Sequence, residues 1–159
     1  IEMGNTSLSF YAQTGYKLPK WFKNNKDWKD HQLICSSFLP PQLGTMDYDL
    51  GNFKIKISTP ARAMMECLEI APKKFDLTEA YLIMEGLTSL KPSDVQKLLE
   101  ACTSVKVKRL FLYFSEAANH SWFKYLDIDK INLGSGKRSI VKDGIYSEKY
   151  RITVPQKIN

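Results

Sequence analysis

Segment 104–114, "SVKVKRLFLYF", carries two periodicities at once. Val105 and Val107 alternate with Lys106 and Lys108, as in a strand. Val107, Leu110, Phe111 and Phe114 share one face of a helix. The apolar set continues to Ala118, and a run of roughly 14 residues favours the helix. Thr103 or Ser104 can cap it. Upstream, Pro60 suits a first helical turn after Ser58 and Thr59. Ala63, Met64, Cys67 and Leu68 then fall on one face, with Arg62 and Glu66 four apart on another. Asp76-Leu-Thr-Glu79 has capping-box spacing and opens a helix through Ala80, Tyr81, Met84 and Leu87. Pro92 opens another, with Val95, Leu98, Leu99 and Cys102 inward. "HSWFKYL" reads as a short helix capped by Ser121.

The two ends alternate with period two. "SLSFYAQTG" and "HQLICSSFL" are short strand candidates, and Pro40-Pro41 is a loop. In "NFKIKIS", Phe53, Ile55 and Ile57 face one side and Lys54 and Lys56 the other, the pattern of a half-buried strand. Asp143-Gly144 is a two-residue hairpin signal between alternating runs, and Pro155 ends the last strand. These elements predict an α+β chain: a mixed or antiparallel sheet from the N-terminal and C-terminal strands, packed against four or five helices. The expectation is one domain, residues 1–159, with a β-rich part (1–58), a helical part (59–131) and a terminal β-hairpin (132–159).

Composition adds little to the fold but something to the partner. The chain has 159 residues and a net charge of +6. Residues 1–60 contribute +2, residues 61–100 contribute −2, and residues 101–159 contribute +6. A basic last third favours an anionic partner, and the plainer alternative is a solvated basic surface. No apolar run is long enough to span a bilayer, so no membrane partner is expected. The start "IEMGNTSLSF" shows no signal peptide, and its leading Ile suggests a fragment of a longer protein. Cys35, Cys67 and Cys102 form no paired motif, and a reduced cytoplasmic setting with thiols packed as core residues is the simple reading.

Catalytic signatures are weak. His31 and His120 lack companions at zinc-ligand spacing, so no metal and no cofactor is expected. "LGSGKRS" resembles a phosphate loop but fails it. Position 131 is Ile where Gly is needed, and position 138 is Arg where Ser or Thr is needed. Gly134 and Gly136 are then turn residues, with Lys137 and Arg138 still free to touch an anion. Asp47, Asp49 and Asn52-x-Lys54 partly match a metal-nuclease strand, but the second acid is missing. The basic-aromatic stretch 20–29 interleaves Trp21, Phe22 and Trp28 with Lys20, Lys23, Lys26 and Lys29. It fits base stacking, or tryptophans in a core with lysine stems lying over them. High average Trp burial favours the second.

"STPARAMMECLE", "LIMEGLTSLKPSDVQKLLEACTSVKVKRLFLYFSE", "LGSGKRSIV" and "KYRITVP", in this order over about residues 15 to 155, resemble the AbiEi antitoxins of type IV toxin–antitoxin (abortive infection) systems. That family usually reads Ser-x-Pro-Glu-Arg-Ala where this chain has Ala61 in place of the Glu. With Ser58 as N-cap, the change removes a capping box. The resemblance implies a winged-helix module and a C-terminal antitoxin region; no helix–turn–helix pattern precedes residue 58, so the C-terminal region is the expected content of this chain. It further implies a bacterial, phage-defence role opposing a nucleotidyltransferase-like toxin, without a stable complex being required, and assistance to transcriptional autoregulation.

The sequence expectation is therefore an antitoxin domain rather than an enzyme. Lys106, Lys108 and Arg109 form an outward basic face on the helix of segment 104–118, joined by Lys137 and Arg138. Its ligand is nucleic acid, either operator DNA or the RNA on which the toxin acts. A generic nucleic-acid-binding module and a decayed nuclease-like enzyme are the rival readings.

Overall fold

A computed structural model describes residues 8–24 and 31–156. The chain divides into two compact units, residues 1–41 and 42–159.

In the first unit, β1 (Leu8–Ala12) and β2 (His31–Cys35) pair in parallel, from Leu8 opposite His31 to Ala12 opposite Cys35. One helical turn, α1 (Lys20–Lys23), lies between them in sequence. Its Phe22 ring meets Phe10 edge-on at 5.3 Å and His31 at 5.1 Å. A helix of one turn packs only one side, and Phe22 occupies it. Trp21 is 72% exposed, so the expectation of a core tryptophan there is corrected. Trp28, Lys26 and Lys29 lie outside the described residues.

The second unit begins with an antiparallel hairpin of β3 (Thr45–Asp49) and β4 (Lys54–Ser58). Leu50 N–H donates to Phe53 at 2.9 Å across the turn, and Gly51 adopts φ +86°, which favours glycine. Phe53 and Ile55 were expected on a half-buried face, but both are exposed, together with Met46, Tyr48 and Leu50. Cross-strand pairing puts these residues on one side of a two-stranded ribbon, and no further described strand extends that sheet.

Four helices follow: α2 (Pro60–Ile70), α3 (Leu77–Gly86), α4 (Pro92–Ala101) and α5 (Val105–Ala117). Their inward faces carry the core. On α4, Val95, Leu98 and Leu99 are buried, and on α5 Val107, Leu110, Phe111 and Phe114 are fully enclosed, all as the periodicity predicts. Asp76 caps α3, its Oδ1 accepting from Thr78 N at 2.8 Å and Glu79 N at 3.0 Å. On α2 the buried apolar set is Ala61, Met64, Met65 and Leu68; Ala63 and Cys67 are only half-buried, so the face is turned from the expected one. The same turn brings Arg62 and Glu66 inside, at 8% and 2% exposure. Arg62 Nε donates to Glu66 Oε1 at 2.8 Å and Nη1 to the Leu43 carbonyl at 2.5 Å. Ser58 is not the N-cap; Thr59 is, without a side-chain bond, and Ser58 Oγ donates instead to Glu66 Oε2 at 2.7 Å.

After α5, "HSWFKYL" forms a single 3₁₀ turn, Phe123–Tyr125, preceded by Trp122 rather than capped by Ser121. His120 is buried and stacks on Trp122 at 5.0 Å. His120 Nε2 donates to the Met84 carbonyl at 2.7 Å and Trp122 Nε1 to the Leu87 carbonyl at 2.9 Å, so both rings satisfy the C-terminal end of α3. The chain closes with β5 (Arg138–Ser139), β6 (Ile145–Ser147) and β7 (Ile152–Val154), in spatial order β5-β7-β6. The hairpin is β6–β7, through residues 148–151, with Arg151 in the left-handed region at φ +53°. Asp143-Gly144 joins β5 to β6, which do not pair, so the two-residue hairpin expected there is corrected. The fold is α+β. The described strands, rather than sharing one sheet, form three small ones. No helix of the described residues is long and apolar enough to cross a membrane.

Candidate anion-binding pocket

Ser104 caps α5, its Oγ accepting from Val107 N at 3.5 Å and donating to Glu69 Oε2 at 2.8 Å. This start fixes the direction of each cation on the helix. Arg109 does not face solvent. It is 1% exposed, and its guanidinium donates only to backbone carbonyls: Nε to Leu133 at 2.8 Å, Nη1 to Gly136 at 2.8 Å and Arg151 at 3.1 Å, Nη2 to Ser135 at 3.4 Å. Burial first, then the neighbouring Arg138 and Arg151, pull its pKa below the usual guanidinium value. Lys108 is 4% exposed. Every fully buried side-chain nitrogen or oxygen among the described residues has a hydrogen-bond partner, so the Lys108 stem is buried while its head reaches the surface. The outward basic face expected from Lys106, Lys108 and Arg109 is therefore not built. A helix with core on most of its circumference has no room for it.

Lys106 takes a different course. Its Nζ donates to the carbonyls of Glu69, at 2.5 Å, and Ala71, at 2.9 Å, closing the C-terminal end of α2. It also lines a cavity of about 500 Å³ with Glu69, Ile70, Ala71, Pro72, Lys73, Lys74, Arg138, Ser139 and Ile140. Four cations thus face one carboxylate, and that carboxylate is hydrogen-bonded to Ser104. Burial chiefly lowers the Lys106 pKa; Glu69 opposes this, and Lys73 and Arg138 add to it. Lys73 and Arg138 therefore both repel the Lys106 ammonium.

Of the five cations singled out in the sequence, two meet here, Lys106 and Arg138. Lys137 is exposed next to Arg138 and lies over the Tyr146 ring at 5.1 Å. Lys73 and Lys74 were missed. Their signal is a pair of lysines directly after Pro72 at a helix C-terminus, where cations offset the negative end of the helix dipole. Gly134 and Gly136 are turn residues as expected, at φ +64° and +76°. The loop they form is what Arg109 holds.

The nuclease-like pattern does not converge on a metal. Asp47 pairs with Lys56 across the hairpin at 2.6 Å, and Asp49 Oδ1 accepts from Gly51 N at 2.7 Å. Among the described residues there is no group of three or more His, Cys, Asp or Glu side chains able to hold a metal ion. The thiols differ in setting: Cys102 is buried, Cys67 half-buried and Cys35 exposed, so the core reading fails for Cys35.

A family model described as "Transcriptional regulator, AbiEi antitoxin, Type IV TA system" matches residues 5–155. No curated protein and no solved structure matches the chain.

Proposed function

Because the chain belongs to the AbiEi antitoxin family of transcriptional regulators of type IV toxin–antitoxin systems, we propose that it counteracts a nucleotidyltransferase-like toxin and assists repression of its own operon through nucleic-acid contact. One observation supports the nucleic-acid part: Lys73, Lys106 and Arg138 converge on one cavity, with Lys137 beside them on the surface. Phosphates neutralise such a group, and their displaced counterions make binding salt-dependent. Arg109 is a positioning residue in this reading, since it anchors the loop that leads into Lys137 and Arg138.

Two measurements test it. Binding to a duplex from the promoter of the chain's own operon is followed against salt for the parent, K73Q/R138Q and the charge-matched control K54Q/K56Q. The first variant should reduce the log–log salt slope by about 1.8, roughly 0.9 for each lost phosphate contact, while the control leaves it unchanged. Equal effects of both pairs overturn the assignment of the contact. Co-expression with a nucleotidyltransferase-like toxin of a type IV system should restore the growth that the toxin alone suppresses. Nucleic-acid binding without restored growth would make the chain a generic binding module instead.

A further inference from the structure

The cavity between the end of α2, the first turn of α5 and β5 has two kinds of wall. Lys73, Lys106 and Arg138 supply cations, while Ile70, Ala71, Pro72 and Ile140 supply apolar surface. We propose that it takes one phosphorylated nucleotide unit, with the phosphate against Lys73, Lys106 and Arg138 and the base against Ile70, Pro72 and Ile140. This rests on reading those cations as phosphate contacts, and it adds that the ligand has an end which enters the protein.

Size supports this. At about 500 Å³ the cavity lies within the range of small-ligand sites, about 300–1,000 Å³, and exceeds what a lone phosphate fills. Cations alone suffice for a backbone phosphate, whereas the apolar wall beside these cations gives a base at a free end a surface to pack on. One of the cations is also pre-set. Two Lys106 N–H groups are engaged by the carbonyls of Glu69 and Ala71, which fixes the ammonium and leaves one donor. Arg138 N donates to the Arg151 carbonyl at 2.9 Å, and Arg109 Nη1 holds that same carbonyl from the other side at 3.1 Å. Little side-chain order has to be gained on binding at Lys106, and the backbone that carries Arg138 is already held. The one carboxylate on the lining is hydrogen-bonded to Ser104 Oγ at 2.8 Å. Converging like charges are unfavourable, and an anion among them relieves the repulsion.

The experiment uses the intact chain and follows backbone amide shifts. The probes are the four nucleoside 5′-monophosphates, the matching nucleosides, inorganic phosphate, and one short oligonucleotide with either a 5′-phosphate or a 5′-hydroxyl. At least one monophosphate should bind tenfold or more tightly than its nucleoside or phosphate alone, shifting the amides of Ile70 and Arg138 to Ile140. K73Q/R138Q should lose at least tenfold in that affinity while keeping a folded spectrum. A phosphorylated oligonucleotide that outcompetes the monophosphate identifies a chain end as the source, and the reverse order identifies a free nucleotide; both support the proposal. Phosphate matching every monophosphate, or K73Q/R138Q binding like the parent, overturns it. If monophosphates fail while the duplex salt slope still falls in K73Q/R138Q, only this inference is lost. If both fail, the nucleic-acid reading is lost with it.

Discussion

Arg109 Nη1 lies 2.8 Å from the carbonyl oxygen of Gly136, joining the middle of α5 to a glycine turn 27 residues later. The same guanidinium reaches Leu133, Ser135 and Arg151. Its planar fork suits several carbonyls at once, which a lysine ammonium cannot match. R109K and R109Q are each expected to cost about 2–3 kcal/mol, the scale of hydrogen bonds to a charged group. Urea unfolding measures the loss, and amide exchange should quicken across residues 133–151 first. A change within about 0.5 kcal/mol would return Arg109 to the surface role that its sequence position suggests.

Spacing alone pairs Arg62 with Glu66, but the burial of the pair is not visible in the sequence. An exposed pair of this kind contributes about 0.3–0.5 kcal/mol. Enclosed, and tied to Ser58 and the Leu43 carbonyl, it behaves differently. E66A leaves the guanidinium without its carboxylate partner inside the protein and should cost about 3–5 kcal/mol, with S58A costing about 1 kcal/mol. A double-mutant cycle on Arg62 and Glu66 isolates their coupling. A coupling below about 0.5 kcal/mol would mean that the pair is solvated.

Both cases turn on contacts that lie far apart in the sequence. Periodicity and caps are local, so α3 to α5 and the Asp76 cap could be read directly. Whether a cation on an apolar helix faces water or a set of carbonyls depends on what the chain does dozens of residues away. Arg109 meets residues 133–151, and Lys106 meets the end of α2. Strand partnership is equally non-local: β5 was expected beside β6 and pairs with β7 instead. The site is half-readable for the same reason. Lys106 and Arg138 stand out as cations near apolar runs, whereas Lys73 and Lys74 gain meaning only when the end of α2 reaches β5.

Gly144 gives a sharper test of the C-terminal sheet. A Cβ there would sit 2.2 Å from the Val154 carbonyl oxygen, a backbone atom that cannot rotate away. G144A should therefore destabilise by about 1–3 kcal/mol, as overpacking does. Gly86, the last residue of α3, has nothing within 4 Å of its would-be Cβ. G86A should be neutral or stabilise by up to about 1 kcal/mol through helix propensity and unfolded-chain entropy. Thermal or urea unfolding of the two variants side by side checks this. Equal behaviour would mean that Gly144 is a plain turn residue, as its Asp-Gly setting suggests.

Alkaline stability should fall, and the sign follows from which state holds the proton. Burial pushes the Cys102 thiol from 9.0 up to about 11; a backbone hydrogen bond with Ser104 and the Lys108 charge oppose this, and Glu69 adds to it. Burial and the Glu116 carboxylate raise Tyr150, whose hydroxyl donates to that carboxylate at 2.9 Å; burial alone raises Tyr113. A raised folded pKa gives stability that is complete below the unfolded value and is lost as pH climbs to the folded one. For Cys102 that window is pH 9 to about 11, and the loss is about 2–3 kcal/mol. Lys106 works the other way: its lowered pKa means stability is regained as pH rises toward 10.5, which offsets part of the decline. Urea midpoints at pH 8, 9.5 and 11 should fall for the parent and fall less steeply for C102A, whatever the variant's stability at pH 8. Parallel slopes for C102A and the parent would show that the thiol titrates as an exposed one. The buried junction between α4 and α5, on which the placement of Lys106 and Arg109 depends, would then be packed differently.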